Sequence, residues 1–199
     1  MSNLLTSKFR VSFPTVFKAR AGQDGGKEKF SIAMLFPKES DLTGEDLADH
    51  QRFMSAAKTA AHAAAKEKWG DKIPKNLKTP FLDAGNYDYE GYEPGGILIR
   101  ASSLQKPGVV DSKVQPIIDE SEFYPGCYAR ATIRAFAYDA QGNRGVSFGL
   151  QNVQKLADGD PLGGRTRAED DFSPATGAED AGVVFGGGSE TADENSIFA

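Results

Sequence analysis

Between Gly126 and Asp139 the chain reads G-C-Y-A-R-A-T-I-R-A-F-A-Y-D. In an extended strand, successive side chains point to opposite faces. One face of this run then carries Tyr128, Arg130, Thr132, Arg134, Phe136 and Tyr138; the other carries Cys127, Ala129, Ala131, Ile133, Ala135 and Ala137. The second face is small and apolar, as a curved sheet closing over a tight core requires. The first alternates aromatic planes with guanidinium groups. Bases stack on aromatic planes and arginine neutralises phosphates, so this combination suits a groove for single-stranded nucleic acid. The competing reading is a half-buried strand whose arginines cover apolar surface with their stems. The strand alone leaves both open. Lys8, Arg10, Arg100 and Arg144, on neighbouring strands, are the further cations expected to line such a groove, with Tyr128, Arg130, Arg134, Phe136 and Tyr138 at its centre.

Other chemistries find less support. There is no Walker loop, G-x-G-x-x-G or H-E-x-x-H. A nuclease needs carboxylates that converge on a divalent metal. The densest acidic run, Glu169, Asp170 and Asp171, lies in a stretch without periodicity, and Asp119, Glu120 and Glu122 read as a solvated loop. His50 and His62 are twelve apart, too far to share a site as an i, i+4 pair would. Both read as solvated or packed histidines. Cys127 is the only cysteine, which excludes an internal disulfide and a cysteine-rich zinc site. No enzymatic activity, metal or cofactor is expected.

The elements that must hold the central strand follow from period and punctuation. Phe9, Val11 and Phe13 alternate with Lys8, Arg10 and Ser12, as in a half-buried strand, and Pro14 demands a bulge, bend or free edge. A turn at 23–26 leads to a second strand at 29–37, with Phe30, Ile32, Met34 and Phe36 on one face. A helix is predicted over 43–69. Thr43 and Asp46 form a variant capping box, Leu47, Met54, Ala57, Ala61 and Ala64 form a stripe, and Gly70 is the stop. Residues 71–96 are irregular. Tyr87, Tyr89 and Tyr92 sit there among Asp88, Glu90 and Glu93, which reads as a loop packing its own tyrosines, with room for one to stack a base. A short strand at 97–102, a turn into extended chain at 106–111, and a hairpin of 123–139 with 144–156 about the 141–143 turn complete the body. Val146, Phe148 and Leu150 face inward.

This order predicts a mainly β fold with one long helix: a curved, five-stranded Greek-key barrel of the oligonucleotide-binding type. That barrel ordinarily carries its helix between its third and fourth strands. Here the helix follows the first hairpin, unless Pro14 divides the first strand in two. The sequence leaves that open.

The chain of 199 residues has a net charge of −5, unevenly distributed. Residues 157–199 hold ten acidic and two basic residues, a net of −8, whereas the 21 basic and 18 acidic residues of 1–156 leave +3. Two domains are expected: a DNA-binding body, 1–156, and a disordered acidic tail, 157–199, rich in Gly, Ala, Asp and Glu. The N-terminus lacks a signal-peptide layout and no run is long and apolar enough for a membrane span, so an intracellular protein is expected.

Three pieces together are diagnostic: Ala101-Ser102-Ser103 running to Lys106-Pro107-Gly108-Val109-Val110-Asp111; Tyr124-Pro125-Gly126-Cys127-Tyr128-Ala129-Arg130-Ala131 with Phe136-Ala137-Tyr138; and Gly142 to Leu150, continuing to Asp158-Gly159 and Leu162-Gly163-Gly164. This set resembles a bacteriophage family, long treated as a domain of unknown function, of single-stranded DNA-binding proteins with an oligonucleotide-binding fold. The resemblance covers most of residues 1–164 and is specific over 124–164. It implies non-specific binding of single-stranded DNA in phage replication, recombination or repair, in the cytoplasm of the infected bacterium. It implies no residue-level map of contacts. The tail is similar in style to those of other single-strand binders, acidic with a Phe-containing tip. Asp193, Glu194, Ile197 and Phe198 are the candidates to recruit phage or host replication proteins, although Phe198 is penultimate. The tail is equally a candidate competitor for the DNA face, or a solubilising extension. A strand-annealing protein and a virion or assembly module without DNA binding are the alternative functions.

Overall fold

The computed structural model describes residues 3–21, 26–140 and 142–163. In chain order the elements are β1 (Leu4–Leu5), β2 (Phe9–Arg20), β3 (Lys29–Phe36), α1 (Gly44–Trp69), β4 (Leu82–Asp83), β5 (Ile97–Ser103), β6 (Gly108–Val110), β7 (Tyr128–Ala140) and β8 (Asn143–Ala157). β2, β3, β5, β8 and β7 pair in that circular order, and β7 pairs back onto β2. The result is a closed five-stranded barrel. All its pairings are antiparallel except β5 with β8. Closure removes the exposed edges that would otherwise invite aggregation. β1 extends the sheet beside β7, β6 runs parallel to the far half of β8, and β4 pairs with β5.

The expected barrel is therefore present, and the open point about the helix is resolved. β2 is one strand, so α1 lies between the second and third barrel strands. Pro14 acts as a bulge rather than a break: Ser12 pairs with Ala33 but Thr15 with Ser31, one extra residue on β2. The bulge has a consequence that alternation did not foresee. Phe9 and Val11 are buried and Val16 is buried, but Phe13, read from the sequence as lying on the same face, is turned out to solvent with φ 41°.

β7 alternates as its sequence dictates. Ala129, Ala131, Ile133 and Ala135 are buried, while Arg130, Arg134 and Phe136 are exposed. Val146, Phe148 and Leu150 of β8 join the core with Ile32, Met34, Phe36 and Ile99. Alanines along β7 keep the interior narrow and let α1 approach. The helix buries Phe53, Met54, Ala57, Ala61, Ala64 and Ala65, and Phe36 stacks on Phe53 at 5.2 Å. The capping box does not form. Thr43 is the N-cap but makes no side-chain cap bond, and Asp46 instead takes an ion pair from Lys8 at 2.8 Å. Gly70 ends the helix with φ 61°. His50 is the packed histidine of the pair, with Phe36 beside it at 6.0 Å, and His62 is exposed.

A second, smaller core covers the outside of β3 and β5. Ala33, Leu35 and Leu98 are capped there by Ala84 and Tyr92, with Leu82, Tyr87 and Leu162 around them. Residues 158–163, assigned by the sequence to the tail, belong to the folded body. The Tyr124 hydroxyl donates to Asp158 and Gly159, Leu162 N–H to the Pro125 carbonyl and Gly163 N–H to Glu90. The remaining tail residues, among them Asp193, Glu194, Ile197 and Phe198, lie outside the described residues.

Candidate nucleic-acid interface

Cross-strand register, rather than chain proximity, assembles the outer face. Arg134 on β7 pairs with Gly149 on β8, Gly149 with Ser102 on β5, Ser102 with Ser31 on β3, and Ser31 with Thr15 on β2. No side chain larger than threonine lies between Arg134 and the β2 bulge. The floor of this lane is internally bonded: Thr15 Oγ1 lies 2.8 Å from Ser31 Oγ and accepts from Ser31 N–H at 3.0 Å. Along one side of the lane stand larger groups. Phe136, 41% exposed, pairs with Ser147, and Arg100 points outward beyond it, because its neighbour Ala101 pairs with Phe148. Arg134 and Arg100 are exposed, and neither has a hydrogen bond or ion pair to a side chain among the described residues. The Arg100 guanidinium lies 5.1 Å above the Tyr87 ring.

The glycines on β8 explain why this surface is open. A Cβ on Gly145 would stand 2.6 Å from Tyr138 Oη and 2.8 Å from the Lys78 carbonyl, so only glycine lets Tyr138 lie across the strand. Gly149 has no such conflict, its nearest neighbour being the Arg134 carbonyl at 3.7 Å. There the missing side chain leaves the lane clear beside Arg134.

The structure thus brings Arg134, Phe136 and Arg100 together, with Tyr138 at the hairpin end. The other expected residues stand apart from them. Arg130 is exposed, and its Nε donates to Gln154 Oε1 at 2.8 Å. Arg144 pairs with Asp139 at 2.8 Å across the hairpin. Lys8 is tied to Asp46. Arg10 holds the chain after β8, donating to the Asp160 carbonyl at 2.7 Å and to that of Gly126 at 3.4 Å. Tyr128 is half-buried beneath Gly159, where a Cβ would meet its ring at 2.9 Å. Lys8, Arg10 and Tyr128 thus each have a neighbour within the fold.

The tyrosine loop packs on itself, as its acidic neighbours predict, but it also meets the barrel face. Tyr92 is buried, and its hydroxyl donates to Ser12 Oγ at 3.0 Å. Burial raises its phenol above the ordinary value, against the Ser12 bond and the Arg100 charge. Tyr89 is 53% exposed and meets Phe13 edge to face at 5.2 Å. Sequence reading placed Phe13 in the core, and only the Pro14 signal pointed to its displacement.

Gly145-Val146-Ser147-Phe148-Gly149 spells G-x-S-x-G, but Ser147 lies mid-strand opposite Phe136. A nucleophile elbow instead needs a strained strand-to-helix turn. Asp119, held below the usual carboxylate range by the Ser121 hydroxyl and N–H, sits on an exposed turn with Glu120 and Glu122. Among the described residues no three His, Cys, Asp or Glu groups converge as a metal site would require. Burial pushes the Cys127 thiol up to about 11, and the residue packs in the core as an inert small group.

A closed Greek-key barrel with one helix and a cationic, aromatic outer face defines the class: an oligonucleotide-binding barrel. The family described as Enterobacter phage Enc34, ssDNA-binding protein matches residues 2–184, and the chain belongs to it. The resemblance drawn from residues 101–164 is borne out. A curated relative, "Putative protein p50" of Acyrthosiphon pisum secondary endosymbiont phage 1, is 28% identical over 183 residues, 86% of this chain and 92% of that one. The solved structure of the bacteriophage Enc34 single-stranded DNA-binding protein in complex with ssDNA superposes with a TM-score of 0.64 at 23% identity. It covers 80% of this chain and 88% of its own. Gp2.5, a single-stranded DNA-binding protein encoded by bacteriophage T7, gives 0.54 at 16% identity over 87% and 98%. At these identities the likeness to the two solved structures concerns the fold. No helix among the described residues is long and apolar enough to cross a membrane.

Proposed function

We propose that this protein binds single-stranded DNA without strong sequence preference, in phage replication, recombination or repair within the infected host's cytoplasm. Family membership supports the class of ligand. The single observation that carries the site is the register that lines Arg134, Phe136 and Arg100 along a lane of glycine, serine and threonine. Exposed rings stack bases of any identity, and exposed guanidiniums neutralise phosphates, so affinity is salt-dependent and sequence-tolerant. Arg130 stands further out and contributes charge, while that of Arg144 is offset by Asp139. Lys8, Arg10 and Tyr128 contribute to the body that holds the face.

The tail completes the proposal. With residues 158–163 in the folded body, residues 164–199 carry eight acidic and two basic residues, a net of −6, against +1 on residues 1–163; this split supports the tail as a tethered competitor for the face, present at an effective concentration of order millimolar. Its Asp193, Glu194, Ile197 and Phe198 are proposed to recruit replication proteins. Fluorescence anisotropy with labelled single-stranded DNA, duplex DNA and RNA across a salt series tests the whole. Preferential, salt-sensitive binding of the single strand is expected. No retention of single-stranded DNA at low salt would refute the function. Deletion of 165–199 should tighten binding at low salt, with the gain shrinking as salt rises. Unchanged affinity at low salt would remove the competition. Ile197→Ala with Phe198→Ala should abolish capture of a replication protein while sparing DNA binding.

A further inference from the structure

Phe13 is an anomaly of both backbone and side chain. It is a non-glycine residue at φ 41°, a strained conformation that persists only where the surroundings hold it. The result is an aromatic ring turned away from the core and 57% exposed. Its one ring neighbour among the described residues, Tyr89, is similarly open, and the two meet at 5.2 Å with an interplanar angle of 74°. Neither ring buries much by this arrangement, so core packing does not account for the strain. Behind them the ladder is firmly anchored. Tyr89 meets Tyr92 at 5.4 Å, Tyr92 meets Tyr87 at 6.0 Å, and Tyr87 lies under Arg100. Tyr92 is fixed to Ser12, the residue before Phe13, by its hydroxyl.

We infer that Phe13 and Tyr89 form a second base-stacking subsite, at the far end of the lane from Arg134 and Phe136, so that one strand of nucleic acid crosses the barrel from β7 to β2. This deepens the proposed function and rests on it. Four strand spacings separate Arg134 from Thr15, about 19 Å along the sheet, and the lane between them is floored by Gly149, Ser102 and Ser31. The chemistry of the two ends differs. Arg134 and Arg100 supply phosphate neutralisation on the β7 and β5 side. Around Tyr89 stand Asp88, Glu90 and Glu93, which repel phosphate, and Glu90 is engaged by Gly163 N–H at 2.9 Å. The subsite therefore holds a base by its ring face while the backbone stays away from the protein. An edge-to-face pair offers one open ring plane for this, with the other ring buttressing it.

The two ends can be separated by measurement. Tyr89→Ala should weaken binding of an oligo-dT of about 16 nucleotides by about 5- to 150-fold, the loss of one base stack, with the log–log salt slope unchanged. Binding of an oligo-dT of about 4 nucleotides, too short to hold both ends, should change less than that of the long one. Tyr89→Phe keeps the ring and should bind as wild type. Phe13→Gly removes the ring and relieves the positive φ, so it should melt at or above the wild-type temperature and still bind the long oligonucleotide more weakly. Wild-type affinity in both Tyr89→Ala and Phe13→Gly, with wild type itself binding, overturns the second subsite and leaves the proposed function standing. Failure of wild type to bind overturns both. A Tyr89→Ala effect that vanishes once 165–199 are removed would assign the pair to the chain's own tail and also overturn the inference.

Discussion

Phe136→Ala isolates base stacking from folding. The ring is 41% exposed on the outer face, while its strand neighbours Ala135 and Ala137 face the core. Opposite it stands Ser147 on the same outer face, so truncation opens no cavity in the core. Truncation should therefore leave the melting temperature nearly unchanged. Loss of one base–aromatic stack removes about 1–3 kcal/mol of binding, which at 1.4 kcal/mol per decade is about 5- to 150-fold in Kd. The assay is anisotropy of a labelled oligo-dT titrated with each protein at several salt concentrations. Phe136→Ala should shift every isotherm by the same factor, because a ring carries no charge. Arg134→Ala should behave differently, flattening the log–log salt slope by about 0.7, the value for one phosphate contact on a single strand. Arg130→Ala should flatten it by less than one unit as well, because its Nη groups stay outside the bond to Gln154. Tyr138→Ala should weaken binding too, although the ring lies at the hairpin end. If these four variants fold and bind as wild type does at every salt concentration, the β7 face is not the interface.

Gly145→Ala should cost about 1–3 kcal/mol in a denaturant melt, because its Cβ would meet Tyr138 Oη and the Lys78 carbonyl inside 3 Å; wild-type stability would mean that this hairpin relaxes freely. His50 is buried with both ring nitrogens unpartnered among the described residues, and burial lowers its pKa against the opposing pull of Glu39 and Asp49. The unfolded chain then takes up its proton first, so stability conferred by neutral His50 is full above its ordinary value of 6.5 and is lost as pH falls below it towards the folded value. Melts from pH 8 to pH 5 should show a smaller loss in His50→Leu than in wild type; parallel losses would refute the assignment. With its thiol pushed up to about 11, Cys127 should react with an aromatic disulfide reagent at pH 8 only as the protein unfolds, and prompt labelling of the native protein would contradict its burial.

What the sequence by itself determined is what depends on near neighbours along the chain. The inward alanines and outward Arg134 and Phe136 of β7 follow from alternation, the limits of α1 from Thr43 and Gly70, and an irregularity in β2 from Pro14, which the register makes a bulge. The family also was legible, from residues 101–164. What the tertiary structure decided depends on which strands adjoin and in which register. Arg100 and Arg134 are 34 positions apart and meet along one lane only because β5 and β8 close the barrel in parallel through Ala101–Phe148 and Ser102–Gly149. Lys8, Arg10 and Tyr128 meet Asp46, the Asp160 carbonyl and Gly159, partners that no local pattern names. Phe13 shows the limit most sharply. Period-two alternation places it in the core, but one extra residue in a strand flips every following side chain and frees the residue at the bulge to leave. Its new position beside Tyr89, 76 residues away, is set by the closed barrel and the tyrosine loop packed across it.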